Sequence, residues 1–311
     1  MATIRDIFKG FYVGIWNFCF PEVSDLKRRR QIEYVIKKER LEWSALHSQD
    51  QGILPSSVDS IPVIVSLTSY GKRVHTVHRV IESLFQQSLQ ANRIILYLNI
   101  EEFKSTTQLP LVLQHQMLRG LEVRFVPDLL SYKKLLPALN DFPEATIITV
   151  DDDVFYPMNM IERLVNAHHA HPGAICSLVN RRLLLNPDGT VGNYNDFPFE
   201  TVCSEDVVSS LVFPEGFGGV LYPPHSLPEE VFHEDAFMQL APSADDLWFK
   251  AMSLMSHTPV VKVHSHFDFL DEFIVDEDVQ DIGLRNLNLD QEANNRQLKA
   301  LFAHYNLYQY L

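Results

Sequence analysis

Thr146-Ile147-Ile148-Thr149-Val150-Asp151-Asp152-Asp153 is the stretch that decides the fold class of this chain. Its first five residues are all β-branched and read as a buried strand. Three acids follow without a break. Three similar runs lie upstream: Val63–Leu67, Ile94–Leu98 and Leu121–Val126. The four runs start at 63, 94, 121 and 146, which is 31, 27 and 25 residues apart. Helical stripes fill the gaps: Val74, Val77, Ile81, Leu84 and Phe85; then Leu111, His115 and Leu118; then Leu135, Leu136 and Leu139. Strand–helix units of this length predict right-handed crossovers and a mostly parallel sheet flanked by helices.

Beyond residue 155 the rhythm changes to a mixed, loop-rich half. A helix with Ile161, Leu164 and Val165 is followed by strands at Ala174–Val179 and Arg182–Leu185. Gly216 to Tyr222 reads as a glycine-opened strand, Ser243–Met255 as a helix, Val260–Val263 as a short strand. Leu298, Leu301, Phe302 and Tyr305 predict a last helix. Residues 1–60 read as a helical appendage and linker before a domain at 61–311, which divides into halves at 61–155 and 156–311.

Composition narrows the classes. With 46% hydrophobic and 21% charged residues in 311, the chain is globular rather than disordered. Its formal charge is −14. Residues 1–50 hold 9 Lys/Arg and 7 Asp/Glu, so the remaining 17 and 33 of the 26 and 40 carry the whole deficit. Such a body repels phosphate backbones, which argues against a nucleic-acid partner. Cys19, Cys176 and Cys203 are few and lack metal-type spacing, which fits a reducing, cytoplasmic setting. Ile4, Ile7, Phe8, Phe11, Tyr12, Ile15 and Trp16 form an aromatic stripe ahead of Lys27-Arg28-Arg29-Arg30. That combination in residues 1–30 suits either a peripheral membrane surface or a subunit contact.

The acids after Val150 sit where ligands bind in open α/β sheets, at the carboxyl end of a strand. If the strand geometry persists, Asp151 and Asp153 share a side and Asp152 faces elsewhere. Two converging carboxylates call for a cation, and all-oxygen ligands suit Mn²⁺ or Mg²⁺. The haloacid-dehalogenase pattern would need Thr or Val at the fifth position, which here is Phe155.

At this point the chain resembles a GT-A fold glycosyltransferase, with Asp151-Asp152-Asp153 as its D-x-D motif. It is most similar to family-2-like bacterial transferases of cell-envelope polysaccharide and lipooligosaccharide. The similar segments are Pro62 to Tyr70 followed by Arg73, Tyr132-Lys133-Lys134-Leu135-Leu136-Pro137-Ala138-Leu139, the acidic triplet, and Ala244-Asp245-Asp246-Leu247-Trp248-Phe249.

The resemblance implies a Rossmann-like GT-A sheet over residues 61–305 and a nucleoside-diphosphate sugar as donor. It implies donor contacts at Thr68, Ser69, Tyr70, Arg73, Asp128, Lys133, Lys134 and Asp152. It places metal on Asp151 and Asp153, with a late histidine, His264 or His266, as a further ligand. It assigns Asp246 as the base on an acceptor hydroxyl in an inverting reaction, with Asp245 as the supporting acid. The family pair is usually Glu-Asp, so the choice between the two acids stays open. Gly218, Gly219 and Trp248 are the expected acceptor contacts, and an envelope glycan or glycolipid is the expected acceptor. The implied location is the cytoplasm, at the inner face of the membrane. A sugar nucleotidyltransferase and an inactive carbohydrate-binding scaffold are the rival readings.

Overall fold

A computed structural model describes residues 21–54, 61–200, 202–282 and 292–311. The aromatic stripe of residues 1–20 and the linker residues 55–60 lie outside the described residues. The first described element is α1, Pro21–His47. The first half then runs β1 (Val63–Thr68), α2 (His78–Phe85), β2 (Arg93–Asn99), α3 (Leu111–Leu118), β3 (Leu121–Val126), α4 (Leu136–Asp141), β4 (Thr146–Thr149). The second half runs β5 (Val154–Phe155), α5 (Met160–Ala170), β6 (Ile175–Ser177), β7 (Asn180–Arg182), β8 (Val207–Ser209), β9 (Val212–Pro214), β10 (Val220–Tyr222), α6 (Glu234–Leu240), α7 (Asp245–Met255), β11 (Val260–Lys262), α8 (Phe269–Glu272), β12 (Ile274–Val275) and α9 (Ala293–His304).

Eight strands form one sheet in the order β3-β2-β1-β4-β10-β6-β11-β8. Neighbours among β3, β2, β1 and β4 pair in parallel, as do β6 and β11, while β10 and β8 run against them. This is the Rossmann-like, mostly parallel α/β sheet flanked by helices that the strand spacing predicts. The order reverses at β1, which has β2 on one side and β4 on the other. The carboxyl ends of β1 and β4 therefore border a crevice at a topological switch point.

The strands are apolar at successive positions because both faces are covered. Val65, Leu67, Ile94, Leu96, Leu98 and Ile148 join one core with α1, α2, α3 and α5. Ile64, Ile95, Tyr97 and Ile147 join the other with α4, α6, α7 and α9. The alternation follows the two-residue period of a strand.

Two details depart from the sequence reading. Helix α3 exposes Leu111 and Leu118, at 82% and 79%, and buries Leu113 and Gln116. The helix is turned this way because the Gln116 amide donates to the His78 carbonyl and to Glu82. Helix α1 is packed on the domain rather than set apart from it, with Tyr34 and Leu41 in the first core.

Buried polar groups hold α1 in place. Glu82 is fully buried and accepts from Arg119 at 2.7 and 3.0 Å, from Ser44 at 2.7 Å and from Gln116 at 3.1 Å. Burial alone would raise its pKa, but these donors hold it below the usual carboxylate range. Replacing Glu82 by Gln strands the Arg119 charge in the interior. Equilibrium unfolding at pH 7 should register a loss of about 3–5 kcal/mol. The deficit should shrink as pH falls below the carboxylate range, because protonation then removes the wild-type advantage as well.

Candidate functional site

The crevice is built from backbone outward. The Val150 amide still bonds the Ser66 carbonyl at 3.1 Å, after which the chain leaves the sheet and presents the three acids. Asp152 turns inward. It accepts from Ser69 Oγ at 2.6 Å and from Arg73 Nη1 at 2.5 Å. Burial and the charges of Asp153 and Asp151 push its carboxyl up to about 6, against the pull of Arg73 and Ser69. Asp151 and Asp153 flank it with side chains 32% and 18% exposed, against 6% for Asp152. Asp151 and Asp153 keep an open side, but the chain turns here, so that Asp153 shares Arg73 with Asp152 while Asp151 faces Lys134.

Arg73 also reaches Asp153 with Nη2, at 3.0 Å, and the Val279 carbonyl at 3.3 Å. The segment after β12 supplies that carbonyl. It is pinned to the triplet because the Asp276 amide donates to the Asp153 carbonyl at 2.7 Å and β12 pairs with β5. Asp276 and Asp278 in turn meet Arg79, at 3.0 and 2.8 Å, and the Tyr34 hydroxyl of α1.

Opposite the triplet stands the start of α7. No side chain caps this helix: the residue before it is Ala244, and Ser243 bonds Gln297 instead. Asp245 and Asp246 fill its first turn and converge on Lys134, which ends the 3-10 turn Leu130–Lys134. Lys134 Nζ lies 2.9 Å from Asp245, 3.6 Å from Asp246 and 3.0 Å from Asp151. Burial opposes its charge, yet the three carboxylates hold its pKa well above the usual lysine range. The two acidic motifs thus share one buried cation. The resemblance implies a donor contact at Lys134, whose ammonium here faces three carboxylates.

The Gly216 amide donates to Asp246 Oδ2 at 2.9 Å. A Cβ at Gly216 would come within 2.5 Å of Asp246 Oδ1 and 2.7 Å of Lys134 Nζ. Strand β10 delivers this glycine to the site by running antiparallel to β4, with Val220 opposite Thr149. Tyr156 locks the approach: its hydroxyl accepts from the Asp151 amide at 2.8 Å and donates to the Phe217 carbonyl at 3.0 Å. Burial raises Asp246 to about 8; Lys134 opposes this, and the charges of Asp245, Asp151 and Glu215 add to it. Glu215, absent from the sequence reading, is buried against Arg181 at 2.5 Å and the Tyr194 hydroxyl at 2.9 Å. Only its position beside the glycine-rich run could have pointed to it.

Other expected residues are placed differently. Tyr70 stands 40% exposed at the mouth, its ring 5.5 Å from the Arg73 guanidinium. The Thr68 hydroxyl is engaged with the Tyr97 carbonyl at 2.8 Å. Lys133 is buried and paired with Asp128, which also accepts from the Leu130 amide. Trp248 is fully buried, with its indole N–H on the Val231 carbonyl at 3.1 Å, so it is a core residue and not an acceptor contact.

The same correction applies to two glycines. Gly218 leaves room for Val179, where a Cβ would meet it at 2.4 Å. Gly219 has φ +83° and sits over Met160. The glycine that borders the acids is Gly216. His264 bonds Asp206 through Nδ1 and its amide, both at 2.8 Å, and its ring lies 6.3 Å from that of His266. Among the described residues no three His, Cys, Asp or Glu side chains gather as a cation cage. The expected histidine ligand is therefore not assembled with the triplet.

Two variants probe the cluster. Lys134→Met leaves three carboxylates facing each other, and unfolding at pH 8 should show a loss of about 3–5 kcal/mol. That loss should diminish on titration toward pH 4, as the acids protonate and cease to repel. Gly216→Ala should destabilise by about 1–3 kcal/mol, the usual cost of overpacking, in the same assay.

No family model matches the chain, and no curated protein matches it. Solved structures do align with it. CMP:2-keto-3-deoxy-manno-octonic acid synthetase complexed with CTP is 11% identical, over 67% of this chain and 90% of that one, with a TM-score of 0.39. The mannosyltransferase PcManGT from Pyrobaculum calidifontis, in complex with GDP-Man and Mn²⁺, is 12% identical over 78% and 65%, with a TM-score of 0.40. HddC from Yersinia pseudotuberculosis is 12% identical over 53% and 77%, with a TM-score of 0.33.

Proposed function

We propose that the chain is a nucleotide-sugar-dependent glycosyltransferase that inverts the transferred sugar. The observation that carries this reading is one crevice with two acidic sets. A triplet ends β4 at the switch point, and an acid pair opens α7 across from it, with Lys134 between them. A diphosphate needs positive charge at the first set, and a sugar hydroxyl needs a base at the second.

In this reading Tyr70 stacks on the donor's base and Arg73 reaches its diphosphate. Asp151 and Asp153 would hold Mg²⁺ or Mn²⁺, as two oxygen ligands that each keep an open side beside an ion pair, with Lys134 and with Arg73 respectively. When bound, the ion supplies positive charge for the departing diphosphate. Asp152 keeps Arg73 aimed at the crevice. Asp246 removes the acceptor hydroxyl's proton, with its orientation set by the Gly216 amide and Lys134. The acceptor is an envelope glycan or glycolipid, met at the cytoplasmic face of the membrane. Among the described residues no helix is long and apolar enough to cross a membrane.

A nucleotidyltransferase is less well supported. The loop after β1, Ser69-Tyr70-Gly71, has a single glycine where a phosphate-cradling loop would have several, and the reaction has no use for a base at Asp246.

A thermal-shift screen of nucleoside-diphosphate sugars with and without Mn²⁺ should find one that raises the melting temperature, and more so with the metal. An unmoved transition across the whole panel would sink the reading. With that donor, Asp246→Asn should lower kcat by about 10²–10⁴-fold. For the wild type, kcat/KM should climb about tenfold per pH unit up to about 8, where Asp246 ionises, and level off above it. Retained anomeric configuration in the product would overturn the inverting assignment.

A further inference from the structure

Lys250 lies one helical turn beyond Asp246 on α7, so both side chains leave the same side of the helix. They line one small, partly open cavity of about 10 Å³, walled by Ile175 and Val260 and bordered by Tyr222 and Ser253. That space admits about one water molecule. Lys250 is 4% exposed, and its Nζ has no hydrogen-bond partner among the described residues.

This sets Lys250 apart from the other buried lysines. Lys133, Lys134 and Lys262 each meet a carboxylate. A buried ammonium without a partner is costly, and the ordinary resolution is loss of its proton. No other titratable side chain lines the cavity beyond Asp246, Lys250 and Tyr222. The Tyr222 phenol is held well above its ordinary range, first by burial and then by the Asp246 charge. It therefore keeps its own proton and can only pass hydrogen bonds along. The Ser253 hydroxyl donates to the Lys250 carbonyl at 2.8 Å.

We propose that Lys250 is the proton store behind Asp246, exchanging a proton with it through the water that the cavity admits. The inference rests on the transferase reading and extends it. The resting Asp246 carboxyl gives its proton to the water, which passes one of its own to the neutral Lys250 amine. Asp246 is now an ionised base and Lys250 an ammonium. As the acceptor oxygen bonds to the sugar, its proton goes to Asp246, and the sugar–phosphate electron pair leaves with the diphosphate. The ammonium gives up its proton to solvent once the products have left. Burial lowers the Lys250 amine and raises the Asp246 carboxyl, so the proton affinities of the two groups approach each other.

The test uses the full chain labelled with ¹⁵N-lysine and follows the side-chain signals by NMR from pH 5 to 10. One signal should titrate near neutrality, be missing from Lys250→Met, and move by at least about half a pH unit in Asp246→Asn. A Lys250 midpoint in the ordinary range near ~10.4, or one indifferent to Asp246→Asn, overturns the proposal. A second arm measures turnover with the donor found by thermal shift. Lys250→Met, which keeps volume and removes the amine, should lose about tenfold or more in kcat at pH 7 with KM unchanged, and its pH profile should lose the acid limb's shape. An unchanged kcat and profile overturns the proposal. If the wild type turns over no nucleotide sugar, the transferase reading fails, while the NMR arm still judges the Lys250–Asp246 connection.

Discussion

One ammonium group facing three carboxylates organises this molecule. Lys134 touches Asp151 on one side of the crevice and Asp245 and Asp246 on the other. Without a shared cation the two acidic sets would repel across a low-dielectric gap, and the crevice would widen or take up protons. With it, both sets stand at fixed separation around a space open to solvent on one side. The packing nearby serves that arrangement. Gly216 vacates the volume that Lys134 and Asp246 occupy, and Tyr156 ties the triplet's backbone to the glycine run. The antiparallel course of β10 places that run beside β4.

A second cation handles the remaining acids. Arg73 holds Asp152 and Asp153, and the Val279 carbonyl takes up part of its donor capacity. Behind it, Asp276 and Asp278 link the same segment to Arg79, Lys38 and Tyr34. Helix α1 is thus joined to the triplet side of the crevice by ionic and hydrogen-bonded contacts as well as by its apolar face. Its other face carries Ile32, Ile36, Trp43 and Leu46, all exposed. The two faces of one helix therefore answer to different surroundings.

Much of this is legible in the sequence. β-Branched runs between helical stripes located β1 to β4 within a residue or two, because buried parallel strands need unbroken apolar sequence. The triplet's place at a strand end followed directly. What stayed hidden depends on contacts between distant positions. Lys134 and Asp246 are separated by more than a hundred residues, so nothing local marks their meeting. Trp248 is expected to contact the acceptor, yet the turn of α7 sends it into the core. Which glycine borders the acids is set by the register of β10, which no glycine-rich run reveals. The buried face of α3 differs from its apolar stripe because a polar residue, Gln116, occupies it.

The chain order of these contacts bears on how the protein is made. Both cations, Arg73 and Lys134, are synthesised before the triplet they neutralise, while Asp245 and Asp246 emerge about ninety residues after it. Residues up to Asp153 thus contain two cations for the triplet's three carboxylates. The acid pair of α7 adds two more around Lys134, so the later half of the chain completes a cluster whose cation the earlier half supplies.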